Sequence, residues 1–264
     1  MTYLEAIILG IIQGLTEFLP VSSSGHIELG KALLGVQLQD DLLFSVVVHA
    51  ATALSTLWVF RQEIGELVRE TLRLQWNQHT QYAAKIILSM FPVGIVGLAF
   101  KDTIEGFFEG NILLVGAMLC LTACLLAFTH FYKPQHTTDV TFPKALSVGI
   151  AQAIAILPGI SRSGATISTA LLVGIDRTKA AKFSFLMVLP PIAGATLLEV
   201  KDFMEQTTPS NLTAGVLTAG FIAAMLTGVV ACKLMVELVK KSKLIYFAVY
   251  CLVVGSIAVV WALK

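Results

Sequence analysis

Glu17, Ser22, Ser23, Ser24 and His26 crowd into one short stretch of an otherwise apolar N-terminal segment. Gln13 stands four residues before Glu17 and so shares a helix face with it. A carboxylate beside an amide oxygen can hold a hard cation or orient a water. The plainer reading of Glu17 is a helix carboxylate neutralised by Arg162. A serine and a histidine within one turn are the ingredients of an activated hydroxyl nucleophile. An SSSGH run on its own is equally a polar break that caps the next helix. A second cluster, Ser161, Arg162, Ser163 and Thr166, surrounds Gly164 where an apolar helix, GATISTALLVG, begins. Helix N-terminal amides, three hydroxyls and a guanidinium together make a phosphate cradle, to which Ser22 and Ser24 add hydroxyls from the first cluster. Arg162 carries the most information, because an arginine at mid-membrane depth needs an anionic partner.

The two clusters are versions of one another. At a fixed offset of 139 positions Gly10, Ile11, Gln13, Ser22, Ser24 and Gly25 fall on Gly149, Ile150, Gln152, Ser161, Ser163 and Gly164, and further on Phe44 and Ser45 fall on Phe183 and Ser184. An internal duplication in a very apolar chain predicts a membrane protein of two halves with its site where the halves meet. Each copy carries different chemistry, so the predicted site is a composite.

The elements that must position it follow from hydropathy. A mean hydropathy of +0.81 and only 13% charged residues exclude a soluble exterior. A net charge of +1 argues against nucleic acid as a partner. Segments 43–61, 82–100, 111–131, 183–201, 212–233 and 244–263 read as full spans, since about 19 residues at ~1.5 Å each cross a ~30 Å hydrocarbon core. Regions 3–35 and 142–175 are apolar but broken by PVSSSG and PGISRSG. Proline and glycine interrupt a helix, and the freed backbone groups must avoid lipid. A re-entrant pair of short helices fits each region better than a kinked span. The expected fold is therefore an all-α polytopic membrane protein, a single domain over 1–264. It holds two inverted-topology repeats, 1–131 and 142–264, each a re-entrant helix pair plus three transmembrane helices.

Loop charge agrees. In that layout one face carries Arg61, Arg69, Arg73, Lys133, Lys144, Arg177, Lys179, Lys182, Lys233, Lys240, Lys241 and Lys243, the other only Lys31, Lys101, Lys201 and Lys264. The positive-inside rule makes the first face cytoplasmic and both termini extracytoplasmic. No cleavable signal is expected at the N-terminus, where Glu5 occupies the place of a basic region. Region 62–81 suits an interfacial helix or a solvated loop. Trp58 and Trp261 suit interface anchors. Cys120, Cys124, Cys232 and Cys251 lie in apolar runs and read as small hydrophobes rather than metal ligands or a disulfide. His49 reads as a hydrogen-bonded helix histidine.

These motifs resemble the bacitracin-resistance type of undecaprenyl-diphosphatase, a family distinct from the acid-phosphatase-like lipid phosphatases. The family's first motif, Glu or Gln followed four positions later by Glu, is matched by Gln13 and Glu17. Its FLPVSS(S/T)GH stretch is matched by Phe18 to His26, and its PGxSRSxxT motif by Pro158 to Thr166. The similarity continues through Phe183, Ser184 and Phe185 and the hydrophobic layout of nearly the whole chain. Gln at position 13 lies within the family pattern but removes one charge from a cation site.

The resemblance implies hydrolysis of undecaprenyl diphosphate to undecaprenyl phosphate and phosphate in the bacterial cytoplasmic membrane. This would recycle a lipid carrier for envelope polymers and confer bacitracin resistance. It also implies dependence on a divalent cation, Mg²⁺ or Ca²⁺, held by Glu17 and Gln13. The partners are then a polyprenyl diphosphate and membrane lipids, with a homodimer allowed but not required.

Three modes of attack stay open: Ser23 with His26 as its base, His26 itself, or a water. The rival from another class is a transporter or flippase, because inverted repeats with broken helices are usual among transporters. The acid-phosphatase-like enzymes share SGH and SR fragments, but their lysine-and-arginine-proline motif is absent here.

Overall fold

The computed structural model describes residues 1–34, 41–107, 111–132, 136–194 and 212–263. Within them the helices are α1 (Tyr3–Phe18), α2 (Ser23–Leu34), α3 (Asp41–Val59), α4 (Arg61–Leu72), α5 (Gln78–Ala99), α6 (Lys101–Phe107), α7 (Ile112–Phe131), α8 (Phe142–Ile154), α9 (Arg162–Leu172), α10 (Arg177–Met187), α11 (Ala214–Lys240) and α12 (Leu244–Ala262). Among the described residues the only β pairing is an isolated bridge between Thr138 and Ile175.

Helices α5, α7, α11 and α12 are each long and apolar enough to cross a membrane. They coincide with four of the segments read as spans, and the chain is a multi-pass membrane protein. The segment at 43–61 forms α3, which meets α4 at a bend of 78°. Helix α4, with no buried residue, takes the place read as interfacial helix or loop. Segment 183–201 is described only as far as residue 194. Helix α10 starts earlier, its hydrogen bonding is interrupted at Val188, and helix resumes over 189–194. Pro190 and Pro191 explain the break, since neither can donate a backbone hydrogen bond. The remainder of that segment lies outside the described residues, as do Lys133, Lys201 and Lys264.

Polar side chains fix where several helices start. A reciprocal capping box joins Thr2 and Glu5 at α1. Asn77 accepts from the Thr80 amide and Asn111 from the Leu114 amide, each at 3.0 Å. Helices α1, α2, α8 and α9 have 16, 12, 13 and 11 residues. At ~1.5 Å per residue, each falls short of a ~30 Å core. The first two pack on each other, as do α8 and α9.

Packing also crosses between the halves. Helix α1 lies against α11, α8 against α5, and α7 against α12. At the last contact, a Cβ on Gly116 would sit 2.9 Å from the Gly255 carbonyl oxygen and from Val259. A Cβ on Gly255 would sit 2.8 Å from the Gly116 carbonyl oxygen and from Cys120 Sγ. Backbone cannot retreat from such an atom, so Gly116→Val is expected to cost about 1–3 kcal/mol through overpacking. The cost should show as a lowered unfolding midpoint in detergent. An unchanged midpoint would mean that the helices do not approach this closely.

Candidate active site

Both helix breaks use a residue with positive φ. In the first, Ser22 (φ 69°) turns the chain after Pro20 so that α2 can start at Ser23. In the second, Gly159 takes φ 92°. A side chain there would also be 2.8 Å from Met118 Cβ, which accounts for glycine at this position. Thr122 of α7 stitches the second break by donating to the Gly159 carbonyl (3.4 Å) and accepting from the Ser161 amide (3.1 Å). Ser161 then caps α9, its Oγ accepting from the Gly164 amide at 3.0 Å.

The two breaks meet. Arg162 Nη2 forms an ion pair with Glu17 Oε1, and Ser163 Oγ donates to the Leu19 carbonyl at 3.0 Å. The other Glu17 oxygen accepts from Ser23 Oγ at 2.7 Å and from Gln13 Nε2 at 3.0 Å. Glu17 is buried, whereas the Arg162 side chain keeps 21% of its surface accessible, so the guanidinium can still be approached. Beside the pair lies a pocket of about 50 Å³ in which every lining residue except Ala155 and Ile160 carries a hydroxyl or a charge. Glu17, Ser22, Ser23, Ser24, Ser161, Arg162 and Ser163 all reach it. The structure thus brings the first serine cluster and the arginine cluster together.

Two of the expected site residues are placed elsewhere. Thr166 is fully buried, its Oγ1 2.6 Å from Ser184 Oγ and donating to the Arg162 carbonyl at 2.8 Å. It braces the turn that carries Arg162 and does not line the pocket. His26 also stands outside the lining and does not pair with Ser23. Its Nδ1 is 2.9 Å from the Ser22 carbonyl and its Nε2 2.9 Å from Tyr250 Oη. The expected serine–histidine couple is therefore replaced by a serine–glutamate couple. At a helix start the histidine ring folds back over the carbonyl four residues earlier, which here belongs to Ser22. His49 fits its reading, with Nδ1 2.9 Å from the Ser45 carbonyl.

Thr122 and Tyr250 were missed in sequence because a lone hydroxyl in an apolar span has no spacing to mark it. Ser184 had a signal, its match with Ser45 in the repeat.

Among the described residues no three His, Cys, Asp or Glu side chains cluster as metal ligands. One observation nevertheless fits a hard cation: Gln13 Oε1 is buried with no hydrogen-bond partner, on the amide whose Nε2 donates to Glu17. At the other end of α8 a cleft of about 530 Å³ opens among α4, α5 and α10. Its charges are largely paired, Lys182 with Glu63 at 2.8 Å and Lys179 with Asp139. The hydrogen bond from Lys182 holds the Glu63 carboxyl below its ordinary range.

The two helix breaks of this multi-pass helical protein thus pool a carboxylate, an arginine and a ring of hydroxyls in one place. The sequence places the protein further. Residues 6–257 match the family described as bacitracin resistance protein BacA, and the chain belongs to that family. It is 54% identical over 265 residues to an undecaprenyl-diphosphatase of Christiangramia forsetii, with 99% of each chain covered. It is 49% identical over 260 residues to one of Parabacteroides distasonis, with 98% of each covered. A similarly named protein of Methanosphaera stadtmanae is 37% identical over 97% of both chains.

Proposed function

We propose that this chain hydrolyses undecaprenyl diphosphate to undecaprenyl phosphate and inorganic phosphate, recycling the lipid carrier and thereby conferring bacitracin resistance. The observation that carries the reading is the Arg162–Glu17 pair beside the Ser23 hydroxyl. A transporter would need groups that bind phosphate, but not a hydroxyl already hydrogen-bonded to a carboxylate. Purified protein in detergent should release phosphate from a prenyl diphosphate. Binding without release would favour the transporter.

An entering phosphoryl group meets Arg162 already paired with Glu17. The Arg162–Glu17 contact is the one its charge can replace. Arg162 turns its fork to two phosphoryl oxygens, with the hydroxyls of Ser161 and Ser163 beside it and those of Ser22 and Ser24 across the pocket. Glu17, released from its counter-charge, accepts the Ser23 proton. Ser23 Oγ then bonds to phosphorus as the phosphoanhydride bond to undecaprenyl phosphate breaks, and water subsequently hydrolyses the phosphoserine.

A divalent cation, Mg²⁺ or Ca²⁺, suits Gln13 Oε1 and Glu17 as oxygen donors. Such an ion offsets phosphate charge when bound. If Gln13 is a ligand, Gln13→Leu should weaken the thermal stabilisation produced by titrated Mg²⁺ or Ca²⁺ without substrate. Equal stabilisation in both proteins would place the ion elsewhere.

The re-entrant and inverted-repeat reading draws support from Gly116 and Gly255. They are mates at the 139-residue offset, and each meets the other together with the other's partner, Val259 or Cys120. Reciprocal contact of equivalent positions is what a two-fold relation produces. The swapped pairs, α1 on α11 and α8 on α5, follow the same relation. The chain then sits in the bacterial cytoplasmic membrane with both termini outside. A reporter fused to the C-terminus should be active only if it functions extracytoplasmically. A cytoplasmic result reverses the orientation.

A further inference from the structure

Helix α12 sends two consecutive side chains into the first break. Cys251 Sγ approaches the Pro20 carbonyl at 3.5 Å, and Tyr250 meets His26. The Tyr250 and His26 rings stack with centroids 5.5 Å apart and an interplanar angle of 14°. The two hydrogen bonds to the imidazole fix its protonation pattern. The Ser22 carbonyl can only accept, so Nδ1 carries a hydrogen. In the neutral ring Nε2 is then the lone-pair nitrogen, and the Tyr250 hydroxyl, 2.9 Å away, must be its donor. Nε2 is thus the basic atom of the ring, and a hydroxyl 224 positions distant in sequence holds it.

From this geometry we infer that Tyr250 is a positioning residue for His26. It selects the Nδ1–H tautomer and, by the hydrogen bond and the ring stack together, holds the imidazole in one orientation against the Ser22 turn. The inference rests on the phosphatase reading and deepens it. With Glu17 serving Ser23 in the first step, the natural place for His26 is the second. There Nε2, its lone pair released as the Tyr250 hydroxyl turns aside, takes a proton from the water that attacks the phosphoserine, the new P–O bond forms, the bond from phosphorus to Ser23 Oγ breaks, and the serine recovers its proton from Glu17. Nε2 then returns its proton to water and the Tyr250 hydroxyl closes on it again. This makes Tyr250 part of the machinery although it lies in an apolar span.

Tyr250→Phe tests the idea while keeping the ring stack. Turnover of farnesyl diphosphate by purified full-length protein is expected to fall by about 10-fold or more, the scale of losing a general-base partner, with KM changed less than about 3-fold. In protein carrying ¹⁵N-labelled histidine, the His26 Nε2 resonance, assigned by its loss in His26→Gln, should shift between wild type and Tyr250→Phe. Unchanged turnover overturns the inference. So does reduced turnover with an unmoved His26 signal, which would make Tyr250 merely structural. Wild-type protein that releases no phosphate sinks the proposed function and this role with it. The ¹⁵N comparison then still reports whether the hydroxyl holds the imidazole.

Discussion

Arg162→Lys should leave a protein that inserts, folds and melts close to wild type yet hydrolyses prenyl diphosphate at least about 100-fold more slowly, the scale of losing one preorganised donor to a developing oxyanion. Lysine keeps the positive charge opposite buried Glu17, so the internal pair survives in altered form. What disappears is the planar fork that can address two phosphoryl oxygens at once. The contrast with Arg162→Ala makes the argument sharp. That variant abandons a buried carboxylate, and stability should drop by about 3–5 kcal/mol, mixing folding with chemistry. The lysine variant separates them. Its phosphate release should be measured alongside its unfolding midpoint, and near-wild-type turnover would mean that charge alone suffices and no bidentate grip exists.

Ser23→Ala should abolish turnover almost completely, by on the order of 10³-fold, whereas Ser24→Ala should cost far less. Only Ser23 has its hydroxyl on the Glu17 carboxylate, at 2.7 Å. Ser24 Oγ is instead 3.4 Å from Ser22 Oγ. Rapid quench of wild-type protein with labelled substrate should trap phosphate on Ser23. A Ser23→Ala enzyme of ordinary speed would reject the serine nucleophile. Phosphate trapped on His26 would transfer that role to the histidine. Activity surviving in both Ser23→Ala and His26→Ala would leave water as the attacking group.

Much of this site could be read from the chain because its information is local. Pro20 and Pro158 mark breaks, runs of serine mark the polar turns after them, and an arginine beside a helix start demands an anion. The duplication linked the two turns across 139 positions before any geometry was in view. Partners supplied by other helices were not legible. Tyr250 is one hydroxyl in an apolar span, and no local pattern announces that it faces His26. The same reason explains the pairing of Ser23. Sequence adjacency suggested His26, but helical geometry turns that ring onto the Ser22 carbonyl and leaves the serine to a carboxylate six residues upstream. The interruption at Val188 within the segment expected at 183–201 follows from its consecutive prolines, which hydropathy weighs too lightly.

The Arg162–Glu17 pair has a consequence for selectivity in a crowded membrane. Ordinary phospholipids vastly outnumber any diphosphate-bearing carrier, and their phosphodiester groups carry a single negative charge. Such a group offers the guanidinium no more charge than the carboxylate already there, and it would strand Glu17 without a partner in a low-dielectric setting. A diphosphate brings more charge than the carboxylate it displaces. On the proposed reading the resting protein thus carries its own competitor for the arginine, a threshold set by the charge of the entering headgroup.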